Sequence, residues 1–221
     1  MKGRSELPVR FLMIAAVVFG GGSLALFAVF LFRGPLRLFT LDGPVNAALG
    51  IDIALCLLFF TQHSVMVRRS FQDRLGSFVP AYLHRAIYAI VSGVLLIALV
   101  IIWQPTSILF SAQGAARWLL RAAFLGGLAG FVWGVKALGS FDGFGIQPIK
   151  AYLGSRKLRA AKFMVRGPYK YVRHPLYSFA LVLLWSFPDV SPDRLLLNIT
   201  FSIWVFAGTV LEERDLVSEF G

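Results

Sequence analysis

A single cysteine, three histidines and eleven acidic residues stand in this chain of 221, against 22 lysines and arginines. With Cys56 alone there is no intrachain disulfide and no cysteine cluster for a metal. His63, His84 and His174 are too few and too scattered for the paired axial ligands of a membrane haem, and no HExxH run exists for zinc. No metal site is therefore expected. Nucleotide-binding signatures are missing as well, neither GxGxxG after a strand pattern nor GxxxxGK[ST]. Polar stretches are scarce: charged residues make up 15% of the chain, and the only long hydrophilic segment covers residues 139–175. No repeat or low-complexity linker divides the sequence, so residues 1–221 are expected to form a single domain.

What fills the chain is apolar. It is 57% hydrophobic with a mean hydropathy of +0.73, the composition of a membrane protein. About 20 helical residues cross the hydrocarbon. Apolar runs at Phe11–Phe32, Val45–Val67, Ala86–Trp103, Ala116–Leu138, Leu176–Phe187 and Leu195–Leu211 therefore predict six spans and an all-α polytopic bundle. The first run follows Lys2, Arg4 and Arg10 and has no small-residue cleavage site, so it reads as a retained helix rather than a signal peptide. The fifth is short, about 18 Å at the helical rise. Either its helix starts earlier, or its first turn sits below the membrane surface inside protein.

A net charge of +11 would point to nucleic acid in a soluble protein. Here it reads as cytoplasmic loops rich in Lys and Arg, with no nucleic-acid partner. Sixteen basic residues lie on the side of the N-terminus, the loop after the second span, residues 139–175 and Arg214, and four (Arg33, Arg37, Arg117, Arg194) lie on the other. That bias predicts a multi-pass protein with both termini cytoplasmic, as in a bacterial inner membrane. Asp52 and Arg121 are the deepest ionisable groups, either a structural pair or a polar path. Gly20-Gly21-Gly22 and Gly126-Gly127 with Gly130 are surfaces suited to close helix packing.

One polar knot interrupts the apolar pattern. Residues 166–177 read Arg-Gly-Pro-Tyr-Lys-Tyr-Val-Arg-His-Pro-Leu-Tyr, and the last apolar run ends on Glu212-Glu213-Arg214-Asp215. Alone, Arg173-His174 reads as a snorkelling pair and Glu212-Glu213 as a solvated helix end. An antiparallel hairpin, however, brings both to the same membrane face. Arg173 offers a planar fork for a carboxylate, and His174 a donor or acceptor at each ring nitrogen. Pro175 starts the following helix, whose free amides favour an anion. Adjacent helical residues point about 100° apart. One glutamate is thus expected to face the site and the other to pair with Arg214 or a loop lysine.

Arg173-His174-Pro175-Leu176-Tyr177 followed by Glu212-Glu213 resembles the signature of the integral-membrane methyltransferases of the isoprenylcysteine carboxyl methyltransferase and phospholipid N-methyltransferase kind. The resemblance covers about residues 141–221, with 139–221 as the cofactor-binding core. It implies S-adenosyl-L-methionine as cofactor, a small or lipophilic acceptor entering from the bilayer, and cofactor contacts from Gly167, Tyr169, Tyr171, Arg173, His174, Pro175, Tyr177, Glu212 and Glu213. A second set, Gln62-His63-Ser64-Val65-Met66 with His84-Arg85, Tyr88 and Trp103-Gln104-Pro105, resembles the subgroup of methanethiol S-methyltransferase and the NnrU-like membrane proteins. It implies thiol methylation with His63, Arg173 and His174 as catalytic candidates. The alternative it leaves is a non-catalytic NnrU-like protein of nitrogen-oxide metabolism or transport. Phe141–Gln147 opens the hydrophilic segment, and either covers the cofactor or simply connects. Phe179 departs from the family, which places a glycine there, and is expected to narrow the cleft.

Overall fold

The computed structural model describes residues 3–139, 142–154 and 166–220; Phe141, residues 155–165 with Lys157, and Gly221 lie outside the described residues. Two helices, α1 (Gly3–Ala16) and α2 (Gly22–Arg33), run as one rod through a π-helical turn at Val17–Gly21. Then follow α3 (Val45–Val67), the short α4 (Arg69–Leu75), α5 (His84–Ile102), α6 (Gly114–Leu138), α7 (Ile146–Leu153), α8 (Pro175–Trp185) and α9 (Pro192–Phe220). Five of these stretches are long and apolar enough to cross a membrane: Glu6–Arg33, Val45–Val67, Ala81–Ile102, Gly114–Leu138 and Pro192–Arg214. The molecule is an all-α polytopic membrane bundle, its outward faces carrying bare Leu, Val, Ile and Phe side chains, as lipid contact requires.

The predicted fifth span begins at Pro175 and no earlier, and its helix has 11 residues. It runs antiparallel to α6 through a ladder of glycines. Leu176 lies against Gly134, Phe179 against Gly130, and Val182 and Leu183 against Gly127. Beyond Trp185 the chain continues beside α6 without a helix. Phe187 sits under the Arg121 guanidinium, 5.4 Å from it, and Asp189 takes two bonds from Arg117 at 2.8 and 3.0 Å. Helix and continuation together match α6 from Gly134 to Arg117, about 26 Å at the helical rise.

Small residues set the other close crossings. A methyl group on Gly93 of α5 would lie 2.3 Å from the Phe19 carbonyl oxygen, so α5 is seated against the π-helical turn. Gly20 receives the Phe144 ring in the same way. Gly22 and Gly126, expected to pack, have no neighbouring atoms within 4 Å of an added methyl group. The main core is aromatic and aliphatic, with Phe30, Leu99, Trp103, Phe124, Leu184 and Leu197 all nearly inaccessible.

At the end opposite the basic loops, short strands β1 (Phe110–Ser111) and β2 (Asp189–Val190) pair antiparallel and tie the α5–α6 loop to the α8–α9 turn. The Arg117 guanidinium holds the Asp189 carboxyl below the usual carboxylate range. Asp52 and Arg121 do not pair with each other. Asp52 accepts from the Gln104 backbone amide at 2.9 Å, while Arg121 donates to the Phe32 carbonyl and covers the Phe32 ring. Both thus make structural contacts, although among the described residues the second carboxylate oxygen of Asp52 has no hydrogen-bond partner.

Candidate active site

Local geometry puts the Arg173-His174 pair where it is. Gly167 has φ +59°, and a side chain there would strike Ala137 at 2.7 Å, so only glycine lets the Gly167–Lys170 turn lie on the end of α6. Arg166 Nε donates to the Ala137 carbonyl at 2.7 Å and fastens the same turn. Pro175 is buried at the first position of α8, and its ring keeps His174 out of the helical conformation. His174 therefore projects across the hairpin towards α9.

There it meets both glutamates. His174 Nε2 lies 2.6 Å from Glu213 Oε1, and Nδ1 lies 3.5 Å from Glu212 Oε2. The imidazole fills the 100° gap between two adjacent helical side chains, which replaces the expected division of one glutamate inward and one towards a lysine. A neutral imidazole donates to one carboxylate only, and a protonated one to both. Arg173 Nη1 donates to Glu213 Oε2 at 3.2 Å while its side chain stays 85% exposed, leaving most of its fork free for an incoming carboxylate. One turn into α8, the Tyr177 ring stacks on His174 at 5.6 Å and 15°. Its hydroxyl lies within electrostatic reach of Glu212. Tyr169 borders the cluster, and burial together with the Glu212 charge pushes its phenol up.

Arg173, His174, Tyr177, Glu212 and Glu213 thus come together, with Tyr169 at the edge. Gly167 and Pro175 act through the backbone, and Tyr171 stands outside, 82% exposed. His63 lies deeper, in α3. The Tyr88 hydroxyl of α5 sits 2.7 Å from its Nε2, and its ring meets Trp204 of α9 edge-on at 4.8 Å. Trp204 is the residue that reading the sequence missed. The signal was the spacing of 204, 208 and 212, one helical turn apart on α9.

Phe179 does not narrow the cleft. Its ring fills the notch at Gly130 of α6, within 2.6 Å of where a methyl group would stand, on the α8 face that packs against α6. Phe179→Gly should therefore remove packing and destabilise the protein by about 2 kcal/mol or more, with no wider acceptor range. A thermal melt of the detergent-purified variant checks this, and an unchanged melt with new acceptors would reverse the assignment.

Comparison with known proteins adds the chemistry. No protein-family model and no solved structure matches the chain. Among curated proteins, it is 36% identical over 179 residues to the methanethiol S-methyltransferase of Pseudomonas deceptionensis, covering 79% of this chain and 67% of the relative. It is 31% identical over 182 residues to methanethiol S-methyltransferase 2 of Bradyrhizobium diazoefficiens, covering 80% and 70%. Nurim of Xenopus laevis is 29% identical over 185 residues, covering 77% and 63%. The chain belongs to the methanethiol S-methyltransferase family, a group of integral-membrane methyltransferases.

Proposed function

We propose that this methyltransferase moves the methyl group of S-adenosyl-L-methionine to a small thiol, methanethiol in the simplest case. The observation that carries the donor assignment is the Arg173–Glu213–His174–Glu212 cluster at the mouth of the α8–α9 hairpin. The donor set fits. Free Arg173 donors suit the amino-acid carboxylate, and the half-exposed Glu212 suits its ammonium or the ribose hydroxyls. The stacked His174 and Tyr177 rings offer an aromatic wall. When bound, the donor supplies an electrophilic methyl group on a positively charged sulfur. The chain's own residues orient the two reactants and exclude water, which favours a nucleophile that is reactive once ionised. The names of the relatives support a thiol acceptor. Headspace assay of purified protein with methanethiol and donor should give dimethyl sulfide; donor binding without that product would sink the thiol reading.

We place the site on the cytoplasmic side of a bacterial inner membrane, both termini included, from the sixteen-to-four bias of basic residues. Reporter fusions after Pro44, Gly76, Ser111, Gly154 and Asp193 should alternate outside, inside, outside, inside, outside. A fusion after Gly154 found outside would separate the site from the cytoplasmic donor and overturn this placement.

A further inference from the structure

Most inward-facing helix glycines here are filled by a neighbour. A methyl group at Gly93, Gly130 or Gly134 would lie within 2.7 Å of another atom. Gly208, half-buried on α9, differs: its nearest neighbour is the Tyr177 hydroxyl, 4.0 Å from an added methyl group. Trp204 lies one turn before it and Glu212 one turn after, so the three share one face of α9.

Polar groups from three other elements converge on that face. His63 of α3 covers Trp204, whose Nε1 donates to Ser64 Oγ at 3.2 Å. Tyr88 of α5 holds the His63 ring and lies within electrostatic reach of Tyr177 of α8. Gln62 donates to Ser92 Oγ of α5 at 3.1 Å, and among the described residues its buried Oε1 has no partner. So many polar groups inside an apolar bundle are costly unless they serve a ligand or one another. Above them, at Glu212, lies the His174 cluster assigned to the donor.

We propose that the face of Gly208, walled by Trp204, His63, Tyr88 and Tyr177, is the acceptor pocket, and that it takes a thiol of one or two carbons whose proton leaves to the Tyr88–His63 pair. This rests on the thiol reading above. The thiol sulfur loses its proton to the Tyr88 oxygen while the Tyr88 proton moves to the His63 ring nitrogen. The sulfur's electron pair forms the new S–C bond, and the donor's C–S bond breaks, its electrons neutralising the donor sulfonium. The extra proton on His63 returns to water after turnover. Among the described residues, Tyr88 of α5 is the titratable group in contact with His63; Tyr177 of α8 lies within electrostatic reach of Tyr88 and of Glu212, and His174 beside Glu212. Tyr88 is thereby a catalytic residue and Gly208 a specificity determinant.

Full-length protein in detergent would be assayed for dimethyl sulfide at about pH 7 and about pH 10, the higher leaving a far larger fraction of the thiol ionised in solution. Donor affinity would be measured alongside by calorimetry. Tyr88→Phe should lose at least about tenfold in kcat at the lower pH and recover most of it at the higher, where the thiol ionises unaided. Gly208→Val should raise the methanethiol KM at least about tenfold and leave donor affinity within about twofold, with Gly208→Ala intermediate. An equal loss for Tyr88→Phe at both pH values would make its role structural and overturn the proton route. A Gly208→Val protein with unchanged KM, or with donor affinity lowered in step, would overturn the pocket. Should Gly208→Val fail to fold, an unchanged KM in Gly208→Ala would overturn it equally. Wild-type protein that binds donor yet makes no dimethyl sulfide at either pH would sink the thiol reading itself, and this pocket with it.

Discussion

Glu213→Ala should lower donor affinity by at least about tenfold, the scale expected when a charge-assisted contact is lost from a binding site. Among the described residues, Glu213 is the one that accepts from both Arg173 and His174, at 3.2 and 2.6 Å. Without it, the Arg173 fork loses its anchor and the imidazole loses the carboxylate that orients it. Little stability should go with it, because the Arg173 side chain is 85% exposed and exposed ion pairs add little to folding. The loss should therefore show in calorimetric titration with donor and not in the melting temperature. Glu213→Gln, which keeps one acceptor oxygen, should fall between. Arg173→Ala should weaken the donor similarly, whereas Lys150→Ala on α7 should do little. Equal and small effects across all of these would mean that the region is merely basic and that the donor binds elsewhere.

At the other end of the bundle, Asp193→Ala should cost about 3 kcal/mol or more of stability, the range for leaving buried hydrogen-bonding groups and a charge unpaired. Asp193 is 2% exposed. Its carboxylate accepts from Trp103 Nε1 at 3.0 Å, from the Thr106 amide at 3.0 Å and from the Thr106 hydroxyl. It also lies beside the buried Arg194, whose charge it partly offsets. Alanine would leave the Trp103 and Thr106 donors without this acceptor and the Arg194 charge, which keeps the Leu31 and Leu184 carbonyls, without its neighbouring carboxylate. Asp193→Asn keeps an acceptor and should recover part of the loss. Trp fluorescence on heating, to which Trp103 contributes as one of five tryptophans, follows the unfolding. Donor binding at the far mouth should survive at temperatures where the variant is folded. A melting curve unchanged by Asp193→Ala would show that this network is not what holds α9 to the α5–α6 loop.

Much of this molecule was legible in one dimension because the bilayer imposes a one-dimensional rule. A segment that crosses hydrocarbon must satisfy its own backbone, so each long apolar run had to be a helix, as Val45–Val67 is to the residue. Proline had an equally local effect, since Pro175 both stops the preceding turn and starts α8. That Arg173-His174 and Glu212-Glu213 lie at the same end of the bundle followed from hairpin polarity alone, as antiparallel helices must bring the start of one to the end of the other.

What stayed hidden depends on rotation about helix axes, which a run of uniformly apolar residues does not encode. Phe179 reads as a lining residue until α8 is turned so that its ring enters the notch at Gly130. Both glutamates face His174 because each ring nitrogen comes within 3.5 Å of one of them. Trp204 and Gly208 carry no motif of their own, and Tyr88, though part of one, has no partner named by it; only the packing of α3, α5 and α8 around α9 brings the three together. Length and polarity act along the chain and survive in its sequence; the angle at which one helix meets another is decided by the volumes of side chains distant in sequence, and so belongs to the tertiary structure.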